Sequence, residues 1–122
     1  MKNSQDFELF EREFKRYQRL FGLRGYRVYF NHKPLDTDVM ANIRVDQEAV
    51  AANVCLNSKV PKRGNEGWAD IRRHAKHECI HLLIGRLVKY GQSRYISGDD
   101  IEEAGEELVN RLEGLIPDLP EE

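Results

Sequence analysis

Cysteine is scarce: Cys55 and Cys79 are the only two in 122 residues. Two thiols make no disulfide framework, and they read as reduced groups of a cytoplasmic protein. No apolar run approaches the ~20 residues needed to cross a bilayer, which argues against a membrane span. The start, Met1 to Asp6, leads into a charged amphipathic segment and not into an apolar signal core. Charge of neither sign dominates. The formal net charge is -2, so no general attraction to anionic membrane or to nucleic acid is expected. Repeats and low-complexity tracts are absent too. The ordinary balance of 40% hydrophobic and 33% charged residues then fits one soluble globular domain over residues 1–122.

The hydrophobic pattern divides that domain. Over residues 4–21, Phe7, Phe10, Phe14, Tyr17 and Phe21 recur at spacings of three and four, predicting a helix with one aromatic core stripe. Glu11, Glu13, Lys15 and Arg16 fall largely outside the stripe. Segments 26–31, 39–45 and 50–57 alternate apolar and polar residues, as strands with one buried face do. Their inward sets are Tyr26, Val28 and Phe30; Val39, Ala41, Ile43 and Val45; and Val50, Ala52, Val54 and Leu56. The joins are short enough for antiparallel neighbours. Ser58–Gly67, with Pro61 and Gly64, reads as a loop. Two helices follow, from about Trp68 to Tyr90 and from about Asp100 to Leu115, linked by Gly91–Gly98. The expectation is an α+β fold of one helix, a three-stranded, mostly antiparallel sheet and two further helices.

Chemistry concentrates in His77-Glu78-Cys79-Ile80-His81, the H-E-x-x-H pattern. Residues four apart lie on one helix face, so His77 and His81 can reach one metal ion with Glu78 beside them. Zn2+ accepts such ligands and activates water, and a neighbouring carboxylate can take a proton and later return it. Ile71, Ala75, Ile80, Leu83, Ile84 and Leu87 supply the apolar face that makes this segment helical. Gly85, one turn after His81, would let another segment approach closely. Cys79 lies off the histidine face and reads as a small core residue.

A catalytic zinc usually has three protein ligands. The last helix, with Ile101, Ala104, Leu108, Leu112 and Leu115 as its buried line, places Glu102 and Glu106 on one side while Glu103 and Glu107 point away. Glu102 stands three residues after Asp99, the spacing of a capping box. Glu106 is therefore preferred as third ligand, with Glu102 the alternative or a partner to a ligand histidine. His74, one turn before His77, is a candidate ligand, substrate contact or oxyanion stabiliser, against the plainer reading of a half-exposed helix histidine. Tyr90 and Tyr95 are further oxyanion-donor candidates. Lys59, Lys62, Arg63, Arg72, Arg73 and Lys76 form a basic cluster that reads best as a solvated patch.

With these residues in place, the chain resembles the minimal gluzincins, zincin-like metallopeptidases built from a helix, a three-stranded sheet, an H-E-x-x-H helix and a glutamate-bearing helix. It is also similar to short phage-type proteins assigned to this class. The resemblance covers the order and size of the whole chain, but its specific part is residues 77–81 and the acidic helix. Glu106-Glu107-Leu108-Val109-Asn110 resembles the Glu-x-x-Ala-Asn ligand motif of peptidases that relieve phage-type repression, with Val109 in the alanine position. Glu102 and Glu106 also look like the ligand and following acid of thermolysin-like enzymes. The resemblance implies peptide-bond hydrolysis with Glu78 as general base and then acid, on a peptide or protein substrate extended along the edge strand. It also admits a latent enzyme, with the tail Ile116–Glu122 over the site. Two other readings stand beside it: a catalytically silent zinc-binding or interaction module, and a metal-free helical interaction protein. Substrate, partners and oligomeric state are open from sequence.

Overall fold

The protein's structure, a computed structural model, describes residues 2–59, 70–117 and 120, with side chains from residue 5 onward. In chain order it holds α1 (Lys2–Leu20), β1 (Arg27–Lys33), β2 (Ala41–Asp46), β3 (Ala51–Asn57), α2 (Ile71–Gln92) and α3 (Gly98–Leu115). The expected α+β order is therefore present. The expected start of α2 at Trp68 and most of the expected loop lie outside the described residues. No helix among the described residues is long and apolar enough to cross a membrane.

The sheet departs from expectation in one respect. Its order is β1-β3-β2, with β3 parallel to β1 and antiparallel to β2, so it is mixed and β1 and β2 are not neighbours. Asn57 shows why. The chain leaving β1 passes over the end of β3 before entering β2, and buried Asn57 holds that crossing. Its Nδ2 donates to the carbonyls of Asp36 (3.1 Å) and Val39 (2.8 Å), and its Oδ1 accepts from the Leu35 N–H at 3.0 Å. The Asn57 N–H donates to the carbonyl of Met40 at 2.8 Å. Leaving these buried groups unpaired would cost about 1–3 kcal/mol each, so the crossing is a fixed part of the fold. It also buries Met40, expected on the outer side. Central β3 is covered on both faces near its end, where Cys55 is buried together with Val54 and Leu56.

The helices pack on the other face. Phe10 and Phe14 are fully buried and Phe21 nearly so, as the aromatic stripe requires, and Phe14 meets Phe30 of β1 edge to face. Glu13, expected outside the stripe, is buried because Arg16 (2.8 Å) and Arg72 of α2 (3.8 Å) pair with it. The buried line of α2 is Ile71, Ala75, Glu78, Cys79 and Leu82. Ile80, expected inside, is instead exposed. The Asp70 side chain caps α2 by accepting from the Arg73 N–H.

α3 is held by polar contacts as much as by burial. Ala104 is its only fully buried residue among those described, and Ile101 and Leu112, expected inside, are exposed. Its capping box joins Ser97 to Asp100, which displaces the expected pairing of Asp99 with Glu102. Arg86 of α2 pairs with Glu103 and Glu107, and Arg111 donates to the Phe21 and Gly22 carbonyls just past the end of α1. A guanidinium there satisfies free carbonyls and opposes the negative helix end.

Candidate metal centre

α2 supplies both histidines. His77 and His81 are exposed, one turn apart, and their Nε2 atoms converge to 3.2 Å with the rings inclined at 74°. Two nitrogens bound tetrahedrally to one zinc at 2.0–2.1 Å would stand about 3.3 Å apart. The pair therefore fits two positions of such an ion. The same separation suits an N–H···N bond in which one ring donates.

Glu78 occupies a different setting. Its side chain is 6% exposed and belongs to the inward line of α2. Burial pushes its carboxyl above the usual range, while His77 and His81 pull it down. A carboxyl group so placed, next to two imidazoles, is suited to hold and release a proton. Cys79 beside it is fully buried, and burial pushes its thiol up to about 12, in keeping with the core role expected of it.

The other candidates are not gathered here. Among the described residues, no third histidine, cysteine, aspartate or glutamate joins the pair in a metal-sized cluster. α3 meets α2 around Leu83, Arg86 and Leu87, and at ~100° per residue the histidines face about 150° away from that contact. Glu103 and Glu107, expected to point away, are turned to Arg86. Glu102 and Glu106 are exposed and make no ion pair among the described residues. His74 is half-buried and has an interaction of its own. Tyr90 lies under Arg86, whose Nε donates to its hydroxyl. Tyr95 is 90% exposed in the link between α2 and α3. Of the basic cluster, Arg72 is drawn to Glu13 and Lys76 lies over the Tyr17 ring, while Lys62 and Arg63 lie outside the described residues.

Beside the histidines the structure adds a groove. It runs between β2 and α2, has a volume of about 500 Å³ and extends from His81 to Gln92. Ile43 and Val45 form one wall, and Ile84 and Val88 the other. Gly85 makes the close approach possible: a Cβ there would stand 2.9 Å from Gln47 Nε2 and 3.9 Å from the Val45 methyls. The approach expected at Gly85 is thus made by the end of β2. Gln47 carries no signal in the sequence, where a polar residue past a strand reads as turn. Its Oε1 accepts from the Tyr26 hydroxyl at 2.7 Å, and its buried Nε2 has no partner among the described residues. Compared with family models, curated proteins and solved structures, the chain finds no match in any of the three.

Proposed function

We propose that this chain is a zinc-dependent peptidase with a zincin-like fold. His77 and His81 hold the metal, Glu106 is the third ligand with Glu102 the alternative, and Glu78 is the general base. The observation that carries the reading is the 3.2 Å convergence of the two Nε2 atoms on an exposed helix face, with Glu78 between them in sequence. Arg86 engages Glu103 and Glu107, which leaves Glu102 and Glu106 as the two of these four glutamates outside an ion pair among the described residues. They lie apart from the histidines, so metal binding on this reading draws α3 toward them.

Zinc, when bound, would acidify a water molecule and polarise a carbonyl. The chain's own part is to orient and to move protons. Glu78 accepts the proton of the attacking water and passes it to the leaving amine. The edge of β2 holds the substrate extended through main-chain hydrogen bonds.

A second reading is a zinc-binding or protein-interaction module without catalysis, favoured by the inward setting of Glu78 and the separation of the third ligand. Metal analysis by mass spectrometry and hydrolysis of a quenched-fluorescence peptide library decide between the two. The peptidase reading expects near-stoichiometric zinc, lost in His77→Ala and Glu106→Ala. It also expects Glu78→Gln to keep zinc and lose hydrolysis. Zinc without hydrolysis in the wild type would support the silent module. No metal after zinc is supplied would defeat the peptidase reading and the zinc-binding form of the module, and would leave a protein-interaction domain.

A further inference from the structure

The groove beside His81 combines an aliphatic strip with a cation. Along its length run aliphatic side chains, Ile43 and Val45 from β2 facing Ile84 and Val88 from α2. Next to Val88, toward the Gln92 end, stands Lys89, an exposed cation that makes no ion pair among the described residues. Among the described residues β2 is an edge of the sheet, paired only with β3, so its outer side offers backbone groups to an extended chain.

Length relates these parts. Lys89 lies eight residues after His81 on the same helix, a rise of ~12 Å. An extended chain advances ~3.3 Å per residue, so the ammonium stands about four residues from a bond held at the histidines.

From this arrangement we propose that the groove selects an extended peptide with aliphatic side chains next to the cleaved bond and a carboxylate about four residues from it, read by Lys89. Aliphatic walls reward side chains such as valine and leucine by removing them from water. Charged side chains would lose hydration there without gaining a partner. Lys89 favours the opposite charge and disfavours its own, which makes it the residue that determines specificity at that distance. The inference rests on the peptidase reading for the position of the cleaved bond, and not for binding itself.

The test uses end-blocked, fluorescein-labelled octapeptides of valine and alanine that carry glutamate at one end, at the other end, or lysine in those places. Binding to the Glu78→Gln protein with zinc is followed by anisotropy, and cleavage by the wild type by mass spectrometry. One glutamate peptide should bind about fivefold more tightly than its lysine counterpart, the scale of one exposed ion pair. Lys89→Glu should reverse the order, and Val88→Asp should weaken both. If the wild type cleaves nothing but this binding pattern holds, the peptidase reading falls and the groove's selectivity stands. If peptides are cleaved and Lys89→Glu leaves the preference unchanged, the inference about Lys89 falls and the peptidase reading stands. Equal binding of all peptides, or binding of none, overturns the inference.

Discussion

Replacing Gly85 by alanine sets helix propensity against a tertiary contact, and Gly105 provides the matched control. Alanine in place of glycine inside a helix stabilises by about 0.5–1 kcal/mol. At Gly105 of α3 nothing among the described residues lies within 4 Å of the added Cβ, so the whole gain should appear, as a rise in Tm of about 3–5 °C for about 1 kcal/mol in a domain of this size. At Gly85 the same Cβ would stand 2.9 Å from Gln47 Nε2, so Gln47 has to move. It is tethered by the Tyr26 hydroxyl at 2.7 Å, and losing that bond costs about 0.5–1.5 kcal/mol. Nε2 has no partner to lose among the described residues. The two effects nearly cancel, and Gly85→Ala should change Tm by less than about 2 °C. In a Gln47→Ala background the obstacle is gone, and Gly85→Ala should recover the gain seen at Gly105. Thermal unfolding of the four variants, followed by circular dichroism, supplies the comparison. A Gly85→Ala protein as stabilised as Gly105→Ala would refute the claim that Gln47 fills the gap over α2.

Two further outcomes follow from buried groups. Cys79 is fully buried, so iodoacetamide should leave it unmodified in native buffer and label it in urea, as read by peptide mass spectrometry. Labelling at equal rates would contradict its place in the core. Tyr26 has its phenol raised above the ordinary value, first by burial, against the opposing hydrogen bond to Gln47. A raised phenol adds stability that is fully present below about pH 10 and is lost as pH rises through the shifted value. Wild type should therefore lose stability on the alkaline side more steeply than Tyr26→Phe in parallel urea titrations. Identical alkaline slopes would show that Tyr26 is not desolvated as described.

The elements legible in the sequence are those set by local periodicity. The spacing of Phe7, Phe10, Phe14, Tyr17 and Phe21 specified α1 and its buried stripe, because side chains three and four apart must share a helix face. Alternation specified the inner faces of β1 and β2 through Val28, Phe30, Ala41, Ile43 and Val45 for the equivalent reason. The i, i+4 placement of His77 and His81 determined their convergence, since it needs only the α-helix that carries both.

Tertiary structure alone decided the rest. A short join permits β1 and β2 to be neighbours but does not require it, and the hydrogen bonds of Asn57 across the end of β3 selected the mixed order. The rotation of α2 could not be read from its apolar residues, because nearly every side of that helix carries one. Packing against α1 and β2 turned Glu78 and Leu82 inward and left Ile80 in water. On α3, propensity and charge treat Glu102, Glu103, Glu106 and Glu107 alike. Within α3 only Arg111, four residues after Glu107, sets one of them apart; what separates Glu103 and Glu107 from the other two is Arg86, a residue of another helix.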